Sequence, residues 1–225
     1  MKFQLTKGHN IQIAGVPKRE IVSSGNLEKV ALKPSEFRGI KPKLLVKKGE
    51  SVKTGQPLFF DKKNPDVSFA SPGCGAVSAI NYGPKRIINS IEITLKGNES
   101  IQHESVRSHE IYSLDRGAII SKILAGGLWP VIKQRPFNAI ADPKATPRAI
   151  FISGYNSAPL TVDLDLALSE QTGPFQTGLN VLRRMTDGYV HLTVPEGTVS
   201  ETLVNAEGVR IHYVKEIGRA SCRER

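Results

Sequence analysis

Cysteine is nearly absent from this chain. Two in 225 residues, Cys74 and Cys222, make neither a disulfide framework nor a metal-binding set. The five histidines are scattered without metal-ligand spacing, and surface or satisfied core positions are the favoured reading for each. No H-E-x-x-H, G-x-S-x-G, P-loop or Cys–His arrangement occurs, which removes the sequence support for metal-assisted or nucleophilic hydrolysis. Aromatic residues make up 6% and the basic residues are mostly lysine, too poor a stacking platform for nucleic acid to be an expected partner. No run approaches the roughly 18 apolar residues of a membrane span. The start, MKFQLTKGHN, lacks the apolar core of a signal peptide, so the cytoplasm is the expected compartment.

What the chain does have is a dense glycine-turn grammar between Leu44 and Ile93. Gly49, Gly55, Gly73, Gly75 and Gly83 separate short β-branched or aromatic runs such as Pro57 to Phe60 and Val67 to Ala70. That pattern predicts a compact barrel or sandwich of short strands. Charge concentrates in the same region. Residues 1–100 carry 17 Lys plus Arg against 8 Asp plus Glu, whereas residues 101–215 carry 11 of each. Lys41, Lys43, Lys47, Lys48, Lys53, Lys62, Lys63, Lys85 and Arg86 would give a small β domain a positive potential. Such a surface suits anionic lipid headgroups or an acidic protein, with a solvated basic face as the plain alternative.

The spacing V-x-x-G-E-x-V-x-x-G-Q-x-L is similar to biotinyl and lipoyl carrier domains, whose modified lysine sits at a hairpin tip. Lys62 and Lys63 fall in that region, but the surrounding Phe60-Asp61-Lys62-Lys63-Asn64-Pro65 lacks the small or methionine neighbours of a carrier. The likeness therefore extends to fold more than to lysine modification. Cys74, between Gly73 and Gly75, reads as a structural residue in a turn, with a reactive thiol as the alternative.

Residues 1–43 offer short extended pieces at Phe3 to Leu5 and Ile11 to Ala14, expected to be outer strands of the first domain. Beyond about residue 103 the pattern changes. Ser113 is a candidate N-cap for a helix carrying Leu114, Ala118, Ile119, Ile123 and Leu124, with Gly126-Gly127 as its stop. Leu128 to Lys133 reads as extended and Gln134 to Arg148 as a proline-containing loop. Strand and helix signals then alternate. Strands are expected at Ala149 to Ser153, Tyr189 to Val194 and Val209 to Val214, and helices at Asp163 to Glu170, Thr172 to Thr186 and Ser200 to Asn205, which argues for a parallel sheet covered by helices. The segment after the first of these strands, Gly154-Tyr155-Asn156-Ser157-Ala158-Pro159, has one glycine where a dinucleotide fold needs G-x-G-x-x-G. Direct NAD or flavin binding is not expected there. Asp163 and Asp165 are explained by the positive end of a helix dipole rather than as paired catalytic acids.

The last ten residues, EIGRASCRER, break off from the preceding pattern and look like translated sequencing adapter. Residues 216–225 are therefore expected to be a non-native tail.

Several separated segments carry a more specific signal. Ile13 to Pro17, Val30-Ala31-Leu32, the DKKNP run at 61–65, Ala70-Ser71-Pro72-Gly73, Lys85-Arg86, Ser113 to Arg116, Gly127-Leu128-Trp129 and Arg135-Pro136-Phe137 occur in collinear order. Together they resemble the NqrA family of the sodium-translocating NADH:quinone oxidoreductases, across about residues 1–215. The resemblance implies an α+β chain of two domains. Residues 1–103 would form a β-rich barrel-sandwich hybrid of the biotinyl/lipoyl kind, and residues 104–215 a Rossmann-like α/β domain.

It also implies a peripheral subunit on the cytoplasmic side of a bacterial inner membrane, in a complex that oxidises NADH, reduces ubiquinone and exports Na+. The complex as a whole would use NADH, flavins, an iron–sulfur centre and ubiquinone, while this chain would bind no cofactor. Family members are longer, so the chain is expected to be an N-terminal fragment. Trp129, Arg135 and Phe137 match segments associated with quinone contact; the alternative is that the two rings anchor a loop to the core. Lys47, Lys48, Lys62, Lys63, Lys85 and Arg86 are the candidates for docking to other subunits or to anionic lipid. Two other identities stay open: a component like RnfC of the Rnf electron-transfer complex, and a stand-alone lipoyl-like carrier or binding module.

Overall fold

The computed structural model describes residues 2–5, 14–15, 18–23, 25–156, 158 and 160–216. The extended piece expected at Ile11 to Ala14 lies outside these residues except for Ala14, as do most of the Ile13 to Pro17 segment and all of the tail after Glu216. In chain order the first elements are β1 (Lys2–Leu5), β2 (Lys29–Leu32), β3 (Pro42–Leu44), β4 (Ser51–Val52), β5 (Pro57–Asp61), β6 (Asn64–Ala70), β7 (Gly75–Tyr82) and β8 (Ile88–Leu95). Then follow α1 (Arg116–Ala125), β9 (Lys133–Gln134), β10 (Ala139–Ile140), β11 (Ile150–Ser153), α2 (Leu164–Ala167), α3 (Thr172–Arg183), β12 (Val190–Pro195), α4 (Glu201–Val204) and β13 (Arg210–Glu216). They form two compact units. One comprises Ser24–Val106 with Asp115–Ala145, the other Met1–Ser23 with Arg107–Leu114 and Thr146–Arg225.

The first unit is the barrel-sandwich. An antiparallel sheet in the order β2-β8-β7-β4 accompanies a three-stranded one in the order β3-β5-β6. Both sheets contribute fully buried side chains, Val52, Val77, Ile91 and Ile93 from one and Leu58, Phe59, Val67 and Phe69 from the other, as two layers closing on one core require. Phe59 stacks on Phe69 at 4.3 Å between ring centroids, and Phe37 meets Phe69 edge-on at 4.6 Å. Gly49 and Gly55 are turn glycines as their spacing predicts, whereas Gly75 is the first residue of β7 rather than a turn. Gly49 and Gly55 adopt φ of 87° and 84°, and a Cβ on Gly75 would lie 2.0 Å from the Thr94 carbonyl oxygen, so only glycine lets β7 run this close to β8.

The same unit includes α1 and the segment after it. The cap of α1 is Asp115 rather than Ser113: its Oδ1 accepts from the Ala118 amide at 2.6 Å, whereas the Ser113 hydroxyl donates to the Glu110 carbonyl. Gly126 and Gly127 end the helix as expected, Gly127 with φ 66°. A Cβ on Gly127 would come within 2.6 Å of the Ala70 Cβ, which marks where the chain after α1 presses on β6. Leu128 to Lys133 is not a strand throughout. Trp129–Val131 is a 3-10 turn, and the expected loop contains the small β9–β10 hairpin.

The second unit is a four-stranded sheet in the order β1-β13-β12-β11, every neighbouring pair parallel. Phe3 to Leu5 therefore does not join the barrel: β1 pairs with β13, Phe3 opposite Val214. β11, β12 and β13 follow one another across the sheet, and right-handed crossovers that always advance in the same direction place α2, α3 and α4 on one face. Beneath those helices Leu192, Val194 and Leu203 form the core, joined by Ile152, Leu164, Leu168, Phe175, Ile211 and Tyr213. The alternation along β12, buried at Val190, Leu192 and Val194 and half-buried at His191, Thr193 and Pro195, records the two unlike faces.

Candidate functional site

The Trp129, Arg135 and Phe137 set is divided by the fold. Trp129 is buried at 3% exposure, with its indole N–H donating to the Ala141 carbonyl at 2.7 Å. A ring so placed anchors the turn after α1 and presents no face to a ligand. Arg135, Pro136 and Phe137 form the connection between β9 and β10, with the Arg135–Pro136 peptide cis and Asn138 at φ 54°. Phe137 is 77% exposed there, so it does not pin the loop to the core. Arg135 is exposed beside it. Lys133, which the sequence did not single out, is the more constrained cation. Its ammonium donates to the Pro130 carbonyl at 2.7 Å and lies 5.3 Å from the Phe37 ring centre, and burial lowers its pKa.

The six docking candidates also separate. Lys62 and Lys63 form the tip of the β5–β6 hairpin, where Asp61 is buried and its Oδ1 accepts from the Lys41 and Lys63 amides at 2.8 and 3.1 Å. The Lys63 ammonium donates to the Gly39 carbonyl. Lys47 and Lys48 lie beyond the other end of β3, since Pro42 pairs with Asp61 and Leu44 with Phe59. Lys85 and Arg86 occupy the tip of the β7–β8 hairpin, near Tyr82, which lines a groove together with Lys47 and Lys48. One end of the barrel thus carries four of the cations, and the opposite end of β3 carries two.

On the α/β sheet the structure assembles a constellation that spacing did not disclose. On the face opposite the helices, Phe151, His191 and His212 stack in sequence, with centroid distances of 4.7 and 5.0 Å, and Phe3 tilts against His212 at 6.0 Å. The register explains it: Phe151 pairs with His191, and Thr193, two residues on, pairs with His212. His191 Nδ1 and His212 Nε2 are 2.8 Å apart. His212 Nδ1 is buried and has no hydrogen-bond partner among the described residues. A bare nitrogen there costs less than a buried N–H, which favours the tautomer in which His212 Nε2–H donates to His191. Burial first, then the charge of His191, and further that of Arg210, lower the His212 pKa.

Chemically, this sheet offers little to a dinucleotide. Among the described residues its strands advance without the reversal of order that opens a binding crevice at a switch point. The turn after β11 leads to α2, whose N-terminus is already capped by the Asp163 carboxylate, accepting from the Asp165 and Leu166 amides at 3.1 and 3.3 Å. Asp163 also pairs with Arg19 at 2.8 Å. A pyrophosphate at that position would meet carboxylates rather than free N–H groups. Among the described residues no three His, Cys, Asp or Glu side chains converge on a metal position, and no helix is long and apolar enough to cross a membrane.

Comparison with known proteins agrees with this division. The family model described as the NqrA N-terminal barrel-sandwich hybrid domain matches residues 3–96, and that described as the NqrA second alpha/beta domain matches residues 114–219. The chain is similar to the NqrA components of Na(+)-translocating NADH-quinone reductases from several bacteria. That of Yersinia pseudotuberculosis is 39% identical over 232 residues, covering 96% of this chain and 52% of the relative. The Klebsiella pneumoniae protein is 37% identical over 195 residues (87% and 44%), and the Photorhabdus laumondii protein 34% identical over 230 residues (96% and 52%). The chain spans about half the length of these curated relatives. With both domains matched in order, the chain belongs to the NqrA family of the Na(+)-translocating NADH-quinone reductases.

Proposed function

We propose that this chain is part of a peripheral subunit, on the cytoplasmic side of a bacterial inner membrane, of a complex that couples NADH oxidation and ubiquinone reduction to Na+ export. The collinear match of both domains to the family carries this reading. Its partners are the other subunits of the complex and anionic lipid headgroups, with ubiquinone contact as the alternative tested below. The chain itself holds no redox cofactor. The acid-capped start of α2 and the sheet without a switch point support that division of labour. The two family models fall on either side of residue 103, which supports sequence domains at 1–103 and 104–215.

The role of the chain within the complex is structural. Trp129, buried and bonded to Ala141, fixes the segment that carries Arg135 and Phe137, and these two exposed residues are the remaining candidates for touching quinone. In the assembled complex, Trp129→Ala should cost about 3–5 kcal/mol of stability and reduce incorporation of the protein. Arg135→Ala and Phe137→Ala should leave stability within about 0.5 kcal/mol and quinone reduction unchanged, with NADH oxidation measured separately through an artificial acceptor. A rise in quinone KM in either variant, with NADH oxidation intact, would replace the structural role by a quinone-contacting one.

A further inference from the structure

The end of the barrel formed by the β3–β4 loop and the β7–β8 hairpin is amphipathic. Leu44, Leu45, Lys47, Lys48, Ile80 and Tyr82 line a groove of about 530 Å³. Leu45 is 52%, Tyr82 53% and Ile87 56% exposed, a large apolar presentation for two short loops. Lys47, Lys48, Lys85 and Arg86 accompany them, all exposed. The carboxylate in the same loop, Glu50, accepts from the Lys47 amide at 2.9 Å through one oxygen and stands as a single negative charge beside these four cations.

The hairpin tip adds an independent observation. Lys85 and Arg86 have φ of 56° and 59°, and the Ile87 amide reaches the Pro84 carbonyl at 3.3 Å. That is the geometry of a tight turn whose two central residues are both left-handed, a place that asparagine followed by glycine fills without strain. Two long cationic side chains there cost backbone energy that Asn-Gly would not. The turn keeps its charges at the expense of its own stability, as segments shaped by binding do.

Resting on the docking role proposed above and narrowing it to one end of the domain, we propose that this end of the barrel binds an anionic bilayer. Leu45, Tyr82 and Ile87 enter the headgroup region, and Lys47, Lys48, Lys85 and Arg86 meet lipid phosphates. The aliphatic side chains favour a bilayer over a purely acidic protein surface, and tyrosine suits the interface between headgroups and acyl chains. Lys62 and Lys63, beyond the other end of β3, take no part.

Co-sedimentation of the chain with phosphatidylcholine vesicles, with and without phosphatidylglycerol, tests this. Binding should require phosphatidylglycerol and weaken about fivefold for each charge removed in Lys47→Gln/Lys48→Gln. The charge-matched Lys62→Gln/Lys63→Gln variant should bind like the parent. Lys85→Asn/Arg86→Gly should bind more weakly while unfolding at the same or a higher denaturant concentration, which separates lost contact from lost folding. Leu45→Ser/Ile87→Ser should weaken binding with the charge intact. Equal losses in the two lysine pairs would reduce the effect to net charge, and no loss on removing Leu45 and Ile87 would remove the apolar half; either overturns the proposal. No vesicle binding, with co-purification of the other reductase components preserved, would overturn the lipid assignment and leave the role in the complex standing.

Discussion

At the scale of single residues, the His191–His212 pair is the most chemically distinctive contact. Spacing in the sequence could not disclose it, because two histidines 21 positions apart meet only through the register of β12 on β13. Its consequence is a pH dependence of fixed sign. The lowered pKa of folded His212 means that the unfolded chain binds a proton more readily. The stability this group contributes is therefore present above its ordinary value of about 6.5 and declines as pH falls from there through the lowered folded value. Imidazole NMR titration should place His212 below the ordinary range, and urea unfolding should show a stability decrease on acidification that His212→Phe reduces. A His212 titrating at or above the ordinary histidine value would contradict the buried, unpartnered Nδ1.

At the scale of elements, much of the barrel was legible. Between Leu44 and Ile93, β-branched runs and turn glycines are local signals, and the positive φ values of Gly49 and Gly55 are the backbone states their positions implied. Longer-range features were less so. β1 pairs with β13 across about the whole chain, and nothing near Phe3 encodes that partner. Ser113 and Asp115 both qualify as caps by residue type; three-dimensional reach to the Ala118 amide chose Asp115. The approach of the turn after α1 to Ala70 was invisible too, and it yields a test. Gly127→Ala places a Cβ against Ala70 in a left-handed conformation and should cost about 2–4 kcal/mol in urea unfolding. Gly173→Ala, in α3 with nothing within 4 Å of the added Cβ, should be neutral or stabilise by about 0.5–1 kcal/mol. Similar losses at both glycines would contradict the packing described for Gly127.

At the scale of the whole molecule, the candidate site was only partly readable. Trp129, Arg135 and Phe137 lie close in sequence, yet one is sequestered in packing and two are exposed on a hairpin connection, a separation that burial alone decides. The basic excess of residues 1–100 was legible as a total, but its division between the two ends of β3 depends on strand pairing. Both domains belong to the NqrA family, and the proposed role within the complex is one of assembly. The most direct test is purification of the protein from the membranes of its native cell. Co-elution with a Na+-dependent NADH–quinone reductase, and loss of quinone reduction when the protein is depleted and its restoration on adding it back, is the expected result. Recovery as a solitary soluble protein, beside a reductase that assembles and reduces quinone fully without it, would contradict the proposed function.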